Sequence, residues 1–153
     1  MRIALYQPEI AGNVGAILRL AACMAVPVEI IEPCGFVFDD KRLKRAAMDY
    51  GPLAEMRRHV DWAAFHAFVR DQGARLVLMS AHATASVYRT AFQDSDILLM
   101  GSEGAGVPPH VREACDLLTT IPMAPGFRSL NISVATGIAL GEALRQTRHL
   151  GEA

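Results

Sequence analysis

Short apolar runs alternate with amphipathic stretches along the whole of this chain. The apolar runs predict strands over residues 2–6, 27–31, 75–80, 96–100 and 117–121, with a weaker one near 57–60. Between them, apolar positions spaced at three and four predict helices over 14–24, 40–47, 61–71, 108–114 and 131–148. Strands and helices in strict alternation define a parallel α/β sheet with helices on both faces. No repeat, low-complexity tract or linker interrupts the pattern, so residues 1–153 read as a single domain.

Polar residues concentrate at three of the junctions. In IPMAPGFRSLNIS, a strand turns through Pro122, Pro125 and Gly126 into the cluster Arg128-Ser129-Leu130-Asn131 at the start of the last helix. Asn131 is a good N-cap, and the free N–H groups of a helix start also suit an anionic or polar ligand. On this segment alone, capping is the commoner meaning of Ser129 and Asn131.

The second junction, ILLMGSEGAGVPP, places glycines at 101, 104 and 106 with Glu103 inside the loop. The order G-x-x-G-x-G reverses the dinucleotide fingerprint, and no phosphate-loop Lys-Ser/Thr follows, so neither nucleotide motif applies. Close approach of backbone to a flat or kinked ligand and a plain strand-to-helix turn both fit it. At the third junction the strand RIALY breaks at Gln7-Pro8-Glu9, and Gly12-Asn13-Val14-Gly15 leads into a helix that Asn13 is placed to cap. Arg19 follows six residues later among apolar neighbours. Its guanidinium fork suits a phosphate, and a salt bridge to Glu9 or Glu32 would serve as well.

Composition narrows the class. With 52% hydrophobic and 20% charged residues the chain is neither disordered nor membrane-spanning, and the apolar stretch after Arg2 is too short for a signal peptide. A cytoplasmic protein without membrane contact is expected. Cys23, Cys34 and Cys115 are too few and scattered for a disulfide framework, and no Cys/His spacing builds a metal site. Cys34 reads as a small apolar residue at a strand end rather than a nucleophile. Net charge is −1, yet Lys41, Arg42, Lys44 and Arg45, then Arg57-Arg58-His59, then Arg145, Arg148 and His149 form basic groups. Each could hold phosphates or be a solvated face.

Taken in order, Asn13-x-Gly15-x-x-x-Arg19, MGSEGAGVP and IPM…SLNIS resemble the SPOUT superfamily of methyltransferases, over Arg2 to about Gln146. LYQPEIAGNVGAILRLAA and IIEPCGFVFDDKRLKRAAMDY are similar to its small branch that methylates the ribose 2′-hydroxyl of the wobble nucleotide in tRNA. The resemblance implies a C-terminal trefoil knot from roughly Ile121 onward, a homodimer, and S-adenosylmethionine as cofactor, with no metal. It implies a cofactor site of Met79, Gly101, Glu103, Ile121, Met123, Ser129 and Leu130. It also implies a catalytic group of Arg19, Asn13, Ser129 and Asn131, with the anticodon stem-loop of tRNA as partner.

Gly141 and Leu144 stand where that branch commonly has aromatic residues, and GSEGAG lacks its usual proline. Both features resemble the wider ribose-methylating group, which acts on other tRNA positions and on ribosomal RNA. A non-catalytic RNA-binding or cofactor-sensing module is the alternative of another class. The presence of all of Asn13, Arg19, Glu103, Ser129 and Asn131 argues against it.

Overall fold

The structure, a computed structural model, describes residues 1–38, 41, 43, 45 and 55–147. The described elements run in chain order as β1 (Arg2–Tyr6), α1 (Ala11–Cys23), β2 (Val28–Ile31), β3 (Met56–His59), α2 (Trp62–Asp71), β4 (Arg75–Met79), β5 (Asp96–Met100), α3 (Pro109–Glu113), β6 (Leu117–Thr119) and α4 (Ile132–Thr147). The six strands form one sheet in the order β3-β2-β1-β5-β4-β6, and every neighbouring pair is parallel.

Successive side chains of a strand point to opposite faces, which explains the two cores. Ile3 and Leu5 of β1, Val77 of β4 and Leu98 and Met100 of β5 face one way. There they meet Val14, Ile17, Leu18 and Ala21 of α1 and Ala139, Leu140, Ala143 and Leu144 of α4. Ala4 and Tyr6, Leu76 and Leu78, and Ile97 and Leu99 face the other way onto Phe65 and Val69 of α2 and Val111 of α3. Strands covered on both faces are apolar at most positions, so β4 and β5 read as near-continuous runs, while β2 buries Glu29 between Arg2 and His59. The weakly predicted strand is real but lies at the sheet edge, where Met56, Arg57 and Arg58 are exposed.

The expected elements recur with shifted ends. Strand 117–121 stops at Thr119, and the backbone of Thr120 pairs instead with the 85–87 segment, through Thr120 N to Ala85 O and Val87 N to Thr120 O at 2.8 Å each. Helix α1 begins at Ala11, so Asn13 lies inside its first turn and is not its cap. The capping position belongs to Ile10, whose side chain makes no capping bond. Asn131 does cap α4, accepting from Ser133 N at 2.8 Å. The predicted helix 40–47 and the DDKRLKRAAMDY block fall largely outside the described residues. Lys41, Leu43 and Arg45 are helical, and Leu43 is buried.

Candidate functional site

The strand order reverses beside β1, and the three polar junctions come together beyond the carboxyl ends of the strands, where open α/β sheets bind ligands. The glycine loop after β5 closes on itself. Ser102 N donates to Gly106 O at 2.9 Å, and Gly106 N donates to Ser102 O at 3.0 Å. A side chain at residue 101 would place its Cβ 2.7 Å from the backbone of Gly106, so only glycine fits there. Gly106 turns the chain at φ +66°, in the left-handed region.

A carboxylate latch joins this loop to α1. Glu103 accepts from Glu9 N at 2.8 Å, from Ile10 N at 3.2 Å and from Asn13 Nδ2 at 3.3 Å. Glu9 returns the contact, accepting from Gly104 N at 3.2 Å. A carboxylate from a loop some ninety residues away therefore sits beside the start of α1, where negative charge suits the helix dipole. The chain of bonds continues, because Asn131 Nδ2 donates to Asn13 Oδ1 at 3.0 Å while Asn131 Oδ1 caps α4. All three junctions are thus tied through Glu103, Asn13 and Asn131.

Between them lies a cavity of about 540 Å3. Its wall includes Met79, Gly101, Glu103, Ile121, Met123, Ser129 and Leu130, together with Asn13 and Asn131. The far side is anchored by Ser80 N donating to Thr119 O at 2.9 Å, and by the buried hydroxyl pair Thr90 and Thr119 at 2.7 Å. Volume and lining match a small-molecule site, since such pockets run to about 300–1,000 Å3 with apolar walls and few polar groups. Among the described residues, no group of three or more His, Cys, Asp or Glu could hold a metal ion.

Arg19 is not part of this wall. It lies on the exposed face of α1, in register with the exposed Gly12, Ala16 and Cys23. The burial that motivated a buried partner for it does not occur. Glu9 accepts from Gly104 N, and Glu32 pairs with Arg58 at 2.8 Å. The basic group 57–59 likewise has structural duties. Arg57 lies over the ring of Phe68 at 4.7 Å and Arg58 over Phe38 at 4.1 Å. His59 is buried against Glu29, 2.7 Å away. Arg145 is exposed and paired with Glu142, while Arg148 and His149 lie outside the described residues.

Cys34 fits its apolar reading. Burial pushes its thiol up, Glu32 adds to the rise, and Arg58 opposes it, so the reactive thiolate is disfavoured. Burial likewise pushes Cys115 up to about 12. Sequence reasoning passed over Arg112 and His82, which also line the cavity, and assigned no role to Arg128, which does too. Nothing in the local pattern of α3 or of the 80–86 loop distinguishes the first two from surface residues.

This fold and site define a methyltransferase class. The sequence profile of the SpoU rRNA Methylase family matches residues 1–141, and the chain belongs to that family. It is 47% identical over 150 residues to the tRNA (cytidine(34)-2′-O)-methyltransferase of Beijerinckia indica, covering 98% of this chain and 94% of that one. It is 39% identical over 153 residues to the enzyme of the same name from Escherichia coli K12, covering 99% and 96%.

Among solved structures, one described as giving insight into the 2-OH methylation of C/U34 on tRNA superposes with a TM-score of 0.90 at 41% identity, covering 95% of this chain and 94% of that one. The SpoU methyltransferase AviRb of Streptomyces viridochromogenes, solved with the cofactor AdoMet, superposes with a TM-score of 0.87 at 26% identity, covering 95% of this chain and 60% of that one.

Proposed function

We propose that this chain is an S-adenosylmethionine-dependent methyltransferase that acts on the ribose 2′-hydroxyl of the wobble nucleotide in tRNA, held through the anticodon stem-loop. The observation that carries the reading is the meeting of three sequence-distant junctions around one cavity whose wall is apolar where a nucleoside base would lie. Met79, Met100, Ile121, Met123 and Leu130 supply flat and adaptable walls, and the backbone at Gly101 approaches closely because it has no side chain. The cofactor brings a methyl group already activated on a sulfonium.

The chain's own residues then have three tasks. The first is orientation, since a correctly placed acceptor and donor can account for about 7–11 kcal/mol of a barrier. Glu103, Asn13 and Asn131 serve it by fixing the glycine loop, the start of α1 and the start of α4 relative to one another. The second is charge. The acceptor oxygen gains negative character as it loses its proton, and donors aimed at it stabilise that change. Arg19, exposed on α1 outside the cavity wall, is assigned to the phosphate beside the target ribose, and to the alkoxide as far as the bound RNA reaches it. A guanidinium hardly deprotonates and so cannot be the base. The third is contact with the acceptor. Ser129 lines the cavity, is exposed, and makes no side-chain hydrogen bond among the described residues, so its hydroxyl is available to a ligand.

The knot implied by the motifs, a cytoplasmic location and a homodimer belong to the same proposal. The exposed apolar residues Ile10, Leu130 and Val134 and the exposed small residues Gly12 and Ala16, at and near α1 and α4, support the dimer. Among the described residues, no helix is long and apolar enough to cross a membrane.

The test is transfer of labelled methyl from S-adenosylmethionine to total tRNA from cells lacking the gene, with the product mapped by nuclease digestion and mass spectrometry. Label on the 2′-oxygen of the wobble nucleotide is the expected result. Label elsewhere in tRNA, or only in ribosomal RNA, would move the substrate, and cofactor binding without transfer to any RNA would remove the enzymatic reading.

A further inference from the structure

Arg112 stands in an unusual position among the described arginines. Arg2, Arg58, Arg75 and Arg145 are each paired with a carboxylate, Arg57 lies over Phe68, and Arg70, Arg89 and Arg128 are exposed to solvent. Arg112 sits in α3, is half-buried in the cavity wall, and its side chain has no ion pair or hydrogen bond among the described residues. Withdrawing a guanidinium from water without an anion is unfavourable, so such a group is built for a ligand that supplies the charge. Among the described residues, the one carboxylate lining the cavity is Glu103, and its oxygens already accept from Glu9 N, Ile10 N and Asn13 Nδ2. A second guanidinium, Arg128, lines the same cavity, so the field inside it favours an anion.

We propose that Arg112 is an anion-binding residue of this cavity and takes a carboxylate or phosphate group of the ligand seated there. The fork of a guanidinium matches either group in a two-point contact. Two sources of that anion exist on the functional reading above, on which this proposal rests. One is the amino-acid carboxylate of the cofactor, and the other is a phosphate of the RNA.

The experiment compares wild type with Arg112→Gln and Arg112→Lys, each checked for an unchanged melting curve. Calorimetry measures binding of S-adenosylhomocysteine and of 5′-methylthioadenosine, which lacks the amino-acid tail, and methyl transfer to tRNA is followed across salt concentrations. If the cofactor supplies the anion, Arg112→Gln weakens S-adenosylhomocysteine about tenfold or more, the order of one lost charge-assisted hydrogen bond. Binding of 5′-methylthioadenosine then stays unchanged. If RNA supplies it, both nucleosides bind as before, KM for tRNA rises, and the log–log salt slope falls by about one contact. Arg112→Lys, which keeps the charge but loses the fork, falls between wild type and Gln in either case. A well-folded Arg112→Gln that leaves all three quantities unchanged overturns the proposal. A wild type that neither binds S-adenosylhomocysteine nor methylates RNA sinks the functional reading itself, and the proposal with it.

Discussion

Both ends of the Asn13 amide are engaged, Nδ2 with Glu103 and Oδ1 with Asn131, so this one side chain holds two loops in register. Asn13→Ala removes both bonds at a net stability cost of about 1–3 kcal/mol. The larger effect is expected on kcat/KM for methyl transfer, which should fall at least about tenfold through lost orientation. Asn13→Asp is the sharper probe, because it sets a second carboxylate against Glu103. Activity should fall below that of the alanine variant at neutral pH and recover partly as pH is lowered. Equal activity of all three proteins in a steady-state assay would remove Asn13 from any positioning role.

A second residue, Glu142, makes a prediction about stability. Arg145 and Gln146 donate to its carboxylate and hold it down at about 2. A depressed carboxylate stabilises the fold above the ordinary carboxylate range, and that contribution is lost as pH falls toward about 2. The stability advantage of wild type over Glu142→Gln, read from urea midpoints, should therefore shrink between about pH 5 and pH 2. Arg145 is exposed, so added salt should shrink it as well. A gap that ignores both pH and salt would mean the pair is idle.

At the scale of elements, the glycines sort by what surrounds them. Gly101→Ala would push a Cβ to 2.7 Å from the backbone of Gly106, with no flexible side chain to yield. Overpacking of this kind costs about 1–3 kcal/mol and should open the glycine loop, so calorimetry should show S-adenosylhomocysteine binding weakened or lost. Gly137 in α4 is the opposite case. The nearest atom to an added Cβ is Leu20 Cδ2 at 3.8 Å, an ordinary contact. Gly137→Ala should therefore stabilise the monomer by up to about 1 kcal/mol through helix propensity, a rise in Tm of about 2–4 °C. Around Gly141 nothing lies within 4 Å, so packing inside the monomer does not account for glycine there.

For the molecule as a whole, the proposed dimer accounts for an exposed face that the monomer leaves apolar. Val134 is 50% exposed, and Ile10 and Leu130, which line the cavity, are exposed as well. Sedimentation should find wild type at twice the chain mass. Val134→Glu, which buries a charge if a partner helix covers it, should shift the protein to monomer and lower methyl transfer with it. A monomeric and active wild type would refute the assembly while leaving the cavity intact.

Much of this molecule is legible in the sequence, and what is legible follows from periodicity. The runs RIALY, VEII, RLVLM and DILLM are apolar at nearly every position because both faces of a parallel sheet are covered. Residues from Met79 to Leu130 that line the cavity are legible in another way, through the order of motifs that resembles a family. Capping of α4 by Asn131 was local in the same sense, needing only residues two apart.

What the sequence could not decide depends on contacts between distant residues. The approach to α1 is held by Glu103, whose carboxylate folds back from the glycine loop onto Glu9 N and Ile10 N, while Asn13 lies inside the first turn and makes no cap. Arg57, Arg58 and His59 resemble a phosphate patch in one dimension, yet aromatic rings and carboxylates from other elements occupy them. Arg19 looks enclosed among apolar neighbours, but the helical turn carries it to the exposed face. Arg112 passes for a surface residue until the sheet brings α3 to the cavity. Local pattern determines which elements form, since hydrogen bonding and side-chain period act over a few residues. The partners of a charged side chain are decided only when folding sets remote groups a few ångströms apart.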